Sequence, residues 1–290
     1  MPESIRITGK TKVFGIFGDP VAHSLSPRMH NAAFEALSLP FCYLPFEVSP
    51  GALERATRAI LALGIKGINV TIPHKETIIP FLDRLASTAE RSGAVNTIEV
   101  SSGALIGHNT DGNGFVASLL EKGVDPAGKR IFILGAGGAA RGVAVALAEK
   151  GAEEITFVNR TVDRAKHLAE RLVSLIPGLK VSFLGTDFKK PDLRRGERPI
   201  LLINATPLGM KKEDSLPFPE SLLDSSWIVA DLIYRPYETP LLLAAKKRGA
   251  NIIPGIGMLL HQGALSFEIW TKESAPIQVM REALARGLEE

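Results

Sequence analysis

The chain has 290 residues, with 34 Lys and Arg against 31 Asp and Glu, a formal charge of +3. That excess is too slight to argue for a nucleic-acid or anionic-membrane partner. A content of 45% hydrophobic and 22% charged residues describes an ordinary globular protein of two modest domains or one large one.

A single cysteine, Cys42, excludes an intrachain disulfide and suits a reducing compartment. It lies in an apolar run and reads as a packed thiol. No apolar run approaches the roughly 18 residues of a membrane span. The first 15 residues show no secretory signal, so the expectation is a cytoplasmic protein. No internal repeat is visible, and the Lys/Arg/Pro-rich stretch 189–199 reads as an exposed connection or a short helix.

Residues 13–17 read as a strand, after which Ser26-Pro27 opens a helix with Met29, Ala32, Ala33, Ala36 and Leu37 on one face. Ser at the N-cap with Pro at the first helical position is a start signal. A second strand follows at 41–48, a helix at 52–63, a third strand at 67–72 and helical pieces over 75–89. Segments 95–100 and 104–106, joined by Ser101-Ser102-Gly103, read as a β-hairpin. Strands interleaved with helices predict an α/β domain, its sheet mixed because of that hairpin. Asp111-Gly112-Asn113-Gly114 then starts a linking helix over 115–122.

The run 131–134 breaks into Gly135-Ala136-Gly137-Gly138-Ala139-Ala140 and a helix striped by Val143, Ala144 and Leu147. This is the dinucleotide fingerprint: the first glycine turns the chain, the second admits a pyrophosphate, and a small third residue lets helix and strand pack. The next strand, 155–158, ends in Asn159-Arg160-Thr161, with Arg164 one turn on. An acidic residue there would favour NAD; guanidinium groups suit the 2′-phosphate of NADP. A solvated basic face is the alternative, and Asp163 lies between the arginines. Further strands are expected at Val181, Ile200, Ile228 and Ile252, with helices at 165–175 and 240–247. Helices 258–270 and 277–288 are expected to return to the first domain.

Three polar clusters stand at strand or hairpin ends. His23-Ser24-Leu25-Ser26 precedes a helix and suits a carboxylate, although Ser26 alone reads better as a cap. In Asn69-Val70-Thr71-Ile72-Pro73-His74-Lys75, strand alternation puts Asn69 and Thr71 on one face. Lys75 follows near the sheet edge where α/β ligands bind, and a lone lysine is otherwise a surface charge. Asn96-Thr97 and Asn109-Thr110-Asp111-Gly112 carry more polar groups than helix capping requires.

These motifs, with Gly93-Ala-Val-Asn96-Thr, Asn204-Ala-Thr-Pro-Leu-Gly-Met210 and Gly255-Ile-Gly-Met258-Leu with Gln262, resemble the shikimate dehydrogenase family. The resemblance runs from about Phe14 to Leu284. It implies NADPH-dependent reversible reduction of 3-dehydroshikimate to shikimate, a step toward chorismate and the aromatic amino acids. It implies a substrate domain over 1–112, completed by helices 258–290, and a Rossmann-type, doubly wound parallel-sheet NADP domain over 113–257. By motif position Lys75 and Asp111 are the catalytic pair, and Ser24, Ser26, Asn69, Thr71, Asn96, Tyr234 and Gln262 line the substrate site. Gly135, Ala136, Gly137, Gly138, Ala139, Asn159, Arg160, Thr161 and Arg164 hold NADP, with Thr206, Gly255 and Met258 near its nicotinamide. No metal is expected, and the state is a monomer or homodimer. The alternatives are a quinate/shikimate dehydrogenase with relaxed NAD or NADP use, and a ligand-sensing homologue that has lost catalysis.

Overall fold

A computed structural model describes residues 7–186 and 200–289, so the basic stretch 189–199 lies outside the described residues. The chain forms two compact units, one of residues 1–114 and 259–290, the other of residues 115–258.

In the first unit, strands β1 (Lys12–Gly18), β2 (Phe41–Glu47), β3 (Gly67–Val70), β4 (Arg84–Leu85), β5 (Thr97–Ser101) and β6 (Ala104–His108) make one sheet. Its order is β2-β1-β3-β5-β6-β4. β1 pairs parallel with β2 and β3, whereas β3 with β5, and β5 with β6, are antiparallel. The sheet is mixed, as the hairpin required. Helices α1 (Ser26–Ala36), α2 (Leu53–Ala62) and α3 (Ser87–Ser92) connect these strands. α4 (Asp111–Glu121) starts in this unit and continues into the second.

The C-terminal segment completes this unit. Helix α9 (Ile277–Leu288) packs against α1. Helix α8 (Ile256–Thr271), most of it in this unit, seats Trp270 over Gly67, where a Cβ would strike the indole. Trp270 Nε1 donates to Ile98 O at 2.9 Å, so the indole satisfies its polar atom while its ring packs on Phe14 at 5.3 Å.

The second unit has strands β7 (Arg130–Leu134), β8 (Glu154–Val158), β9 (Lys180–Leu184), β10 (Ile200–Asn204), β11 (Ile228–Asp231) and β12 (Asn251–Ile253). Helices α5 (Gly138–Glu149), α6 (Val162–Leu175) and α7 (Pro240–Lys247) lie between them. All its pairings are parallel, in the order β12-β11-β10-β7-β8-β9. Counted within the unit this is 3-2-1-4-5-6, the doubly wound dinucleotide-binding order. Apolar layers cover both faces. Ile131, Ile133, Ile155 and Phe157 belong to one, and Phe132, Leu134, Leu202 and Val229 to the other. Strands buried on both faces explain the unbroken apolar runs in the sequence.

Several local expectations shift. Helix α1 takes Leu25 as its N-cap with no side-chain cap, so Ser26 is a buried first-turn residue rather than the cap. The region 75–89 is not mainly helical. It holds turns, a single 3₁₀ turn at Ile79–Phe81, the short strand β4 and the start of α3. Pro73 and Pro80 interrupt any longer helix there, each lacking an amide donor. Strand β3 ends at Val70, so Thr71 lies one residue beyond it, its amide still bonded to Phe17 O at 2.9 Å. Helices α4 and α6 begin earlier than their apolar stripes suggested, at Asp111 and Val162.

Candidate active site

The topology of the first unit gathers its polar motifs at one sheet edge. Parallel β1 and β3 end together, with Phe17 beside Val70. Antiparallel β5 starts there, Thr97 lying opposite Asn69, and β6 finishes there, with His108 opposite Thr97. The loops carrying Ser24, Thr71, Lys75, Asn96 and Asn109 therefore leave from one side of the sheet.

Lys75 stands on a turn clamped from two directions. Val95 N donates to Lys75 O at 2.7 Å. The ring of buried His74 places Nε2 2.6 Å from Val48 O, a contact that requires Nε2 to carry the proton. Lys75 Nζ donates to Asp111 Oδ2, and both side chains are largely shielded from solvent. Asp111, the first residue of α4, takes its second partner from Asn96, whose Nδ2 reaches Oδ1 at 2.8 Å. The carboxylate thus meets two side-chain donors, one of them charged.

Asn96 is a junction. Its Nδ2 also reaches Thr110 Oγ1 at 2.8 Å and Gln262 Oε1 at 3.2 Å, and its Oδ1 accepts from Thr110 N at 2.8 Å. Asn69 is a second junction: its Oδ1 accepts from Tyr43 Oη at 2.7 Å, and its Nδ2 donates to Asn96 O, Thr97 Oγ1 and Ser266 Oγ. Ser266 lies 2.7 Å from Thr97 Oγ1, joining α8 to the cluster. Of the expected site residues, Lys75, Asp111, Asn96, Asn69 and Gln262 fall in this one network. Among the described residues, Ser24, Ser26 and Thr71 stand outside it. Ser26 N donates to Ser24 Oγ at 3.3 Å.

Tyr43 and Ser266 are participants that the sequence motifs did not flag. Ser266 is four residues after Gln262, hence on the same helix face, and that spacing was the available signal. Next to Tyr43, His30 stacks on its ring at 4.5 Å with both ring nitrogens buried and unpartnered among the described residues. Burial lowers the His30 pKa to about 3, keeping it neutral. Burial also pushes the Cys42 thiol up, consistent with a packed side chain.

In the second unit the chain leaves β7 through Gly135, at φ +106°, where a Cβ would lie 2.9 Å from Ala205 O. Only glycine suits that turn. Gly137 is the N-cap of α5, with no side-chain cap bond, no acidic residue in the first turn and nothing within 4 Å of a Cβ placed there. Open space over helix amides is what a pyrophosphate needs. Ala136 is buried beside it, and Gly138 and Ala139 form the first turn of α5. After β8, Asn159 Nδ2 donates to Thr161 O at 2.8 Å, while Arg160, Thr161, Asp163 and Arg164 are exposed, Arg164 in the first turn of α6. The glycine turn, the uncapped helix start and the exposed guanidinium groups fit a phosphorylated dinucleotide.

The next loops hold the remaining expected residues. Thr206 follows β10, its hydroxyl and amide both bonded to Asn204 Oδ1. Gly255 follows β12, where a Cβ would lie 2.6 Å from Leu232 O and Ile233 O, so two loops touch there at backbone distance. Met258 is buried in the apolar layer containing Ile253 and Ala230. Tyr234 is partly buried on the loop after β11. Asp231, at the end of that strand, was not flagged as a site residue. Burial raises its pKa to about 6, against hydrogen bonds from Asn204, the Ile233 amide and Thr239.

Comparison with known proteins follows the same division. Residues 16–98 match the shikimate dehydrogenase substrate binding domain, residues 118–184 the shikimate / quinate 5-dehydrogenase model, and residues 255–285 the shikimate 5′-dehydrogenase C-terminal domain. The shikimate dehydrogenase (NADP(+)) of Methanopyrus kandleri is 48% identical over 99% of this chain and 100% of its own. A crystal structure of a shikimate dehydrogenase in complex with NADP+ superposes with a TM-score of 0.91 at 42% identity, covering 100% of both chains. The shikimate 5-dehydrogenase of Thermus thermophilus, in complex with NADP(H) and shikimate, gives 0.84 at 38% identity over 96% of this chain and 100% of its own. With nearly half its residues shared along its full length, and the three models matched in order, this chain belongs to the shikimate dehydrogenase family.

Proposed function

We propose that the protein is an NADP-dependent shikimate dehydrogenase that interconverts 3-dehydroshikimate and shikimate. The observation that carries this reading is the Lys75–Asp111 pair, shielded from solvent and held by Asn96 at the edge where the first unit collects its polar loops. When bound, the nicotinamide cofactor supplies the hydride in reduction and takes it in oxidation. As hydride reaches the ring ketone, negative charge grows on its oxygen. The Lys75 ammonium, an N–H donor, stabilises that charge and delivers the proton. In the reverse direction the amine takes the proton from the hydroxyl.

Asp111 orients Lys75 and accepts a hydrogen bond from a substrate hydroxyl. Ser24, Ser26, Asn69, Thr71, Asn96, Gln262 and Tyr234 supply further polar contacts to the acid and its hydroxyls. A pocket built from hydrogen-bonding groups rejects an analogue lacking one hydroxyl more strongly than an apolar pocket sorts by size. Arg160 and Arg164 favour the 2′-phosphate and so NADP over NAD.

Among the described residues no helix is long and apolar enough to cross a membrane. A cytoplasmic location and a monomeric or homodimeric state belong to this proposal, the first supported by the family's biosynthetic role.

The test is turnover of shikimate and of quinate with NADP+ and NAD+, followed by the absorbance of the reduced nicotinamide. The reading expects the highest kcat/KM for shikimate with NADP+. Absence of turnover would favour a ligand-sensing homologue, and comparable rates in all four arms a relaxed quinate/shikimate enzyme.

A further inference from the structure

The second unit contains a buried carboxylate with no assigned task. Asp231 is 1% exposed and ends β11, next to the β7–β10 switch point of the parallel sheet. All its side-chain partners given by the structure are neutral donors. Asn204 Nδ2 reaches Oδ1 and Oδ2 at 3.1 and 3.0 Å, Ile233 N donates to Oδ1 at 3.0 Å, and Thr239 Oγ1 donates to Oδ2 at 2.7 Å. Thr239 is also the N-cap of α7, its Oγ1 accepting from Leu242 N. One carboxylate therefore ties together the end of β10, the loop after β11 and the start of α7.

The polarity of these bonds has a consequence at Thr206. An ionised carboxylate only accepts, so it holds the Asn204 amide with its NH2 toward Asp231, the same NH2 also donating to Leu208 O at 3.1 Å. The Asn204 oxygen is then left facing the next loop. There it accepts from Thr206 N at 3.0 Å and from Thr206 Oγ1 at 2.7 Å. With the hydroxyl drawn inward, the Thr206 methyl lies 3.2 Å from where a Cβ on Gly135 would stand. The glycine turn is thus flanked by a methyl group, and the Thr206 hydroxyl donates inward.

We propose that Asp231 is a positioning residue for the cofactor: through Asn204 it fixes Thr206 with its methyl beside the glycine turn. Through the Ile233 amide and Thr239 it also fixes the loop that carries Tyr234. This rests on the dinucleotide reading of the second unit and adds a residue outside the glycine-rich motif to it. Burial alone would favour a neutral acid at this position, which is why its donors matter. An uncharged amide there keeps one acceptor oxygen and sets an NH2 against the Asn204 NH2 at the other, which weakens the anchor on Asn204.

The experiment uses the full chain, with NADP+ as probe in calorimetric titration, alongside thermal melting and steady-state kinetics. Asp231→Asn is expected to weaken NADP+ binding by about tenfold, the scale of one disrupted buried hydrogen bond. The double variant Asp231→Asn with Thr206→Ala should bind NADP+ no more than about twofold more weakly than Thr206→Ala alone, because both changes act through the same side chain, whereas unrelated losses would add. Wild-type affinity in folded Asp231→Asn, or fully additive losses in the double variant, overturns the proposal.

Should Asp231→Asn fail to fold, Thr206 decides. Thr206→Ser keeps the hydroxyl bond to Asn204 and loses the methyl, whereas Thr206→Val keeps a methyl and loses that bond, and both should weaken NADP+ binding severalfold. Wild-type affinity in either variant overturns the proposal. Wild-type turnover of shikimate is scored separately, so the functional reading and this inference fail independently.

Discussion

Lys75 Nζ donates to Asp111 Oδ2 while Asn96 Nδ2 holds Oδ1 at 2.8 Å, so the carboxylate has a separate partner on each oxygen. That division lets Asp111 keep its orientation while the amine engages another acceptor. On the proposed mechanism Lys75 moves a proton in the transition state. Lys75→Met should therefore lower kcat by at least about a hundredfold, the usual scale for an acid–base group, with KM for shikimate changing much less. If kcat survived and only KM rose, Lys75 would be a binding residue and the mechanism would need another acid.

Two neighbouring glycines should separate fold from ligand. Gly135 sits at φ +106° against Ala205 O, so Gly135→Ala should lower the melting temperature and reduce folded yield. Gly137 has φ −88° and open space around a Cβ, so Gly137→Ala should melt like wild type. Its methyl would instead stand where the pyrophosphate approaches the helix, and NADP+ affinity should fall at least about tenfold by calorimetry. Undiminished affinity in Gly137→Ala would place the phosphates elsewhere.

The cofactor unit was the more legible half of the chain. Its inner parallel strands β7, β8, β10 and β11 are buried on both faces, so they appear as apolar runs, and Gly135 and Gly137 mark the one turn that needs them. The first unit hid more. Strand β4 has only Arg84 and Leu85, too short for any alternation to show. Tyr43 and Ser266 join Asn69 across 26 and 197 residues of sequence, contacts that no local pattern encodes. Lys75 and Asp111 could be singled out as polar residues at strand and helix ends. Their contact depends on β3, β5 and β6 lying side by side with their ends aligned. Asp231 was not singled out, since nothing in the local sequence reveals that its partners come from Asn204 and Thr239.

Arg160 and Arg164 are exposed at the end of β8 and the first turn of α6. If they meet the 2′-phosphate, replacing both with Ala should cut kcat/KM for NADP+ by at least about tenfold, the loss of charge-assisted hydrogen bonds. The value for NAD+, which lacks that phosphate, should change little. Parallel losses with both cofactors would show that the arginines support the fold rather than cofactor choice.

His30 should leave a signature in the pH dependence of stability. Its ring is fully buried, and its pKa falls from 6.5 to about 3 because burial disfavours the cation. Below the unfolded value the denatured chain takes up a proton that the native state refuses. Stability is therefore greatest above about pH 6.5 and declines as pH falls toward 3. Between about pH 7 and about pH 5 this residue alone accounts for a loss of about 2 kcal/mol. In His30→Phe that part of the slope should vanish, whatever the packing change at Tyr43 does to absolute stability. Urea unfolding of both proteins at the two pH values measures it. Equal slopes would mean that His30 is protonated in the native state, or that its nitrogens find partners when the protein is in solution.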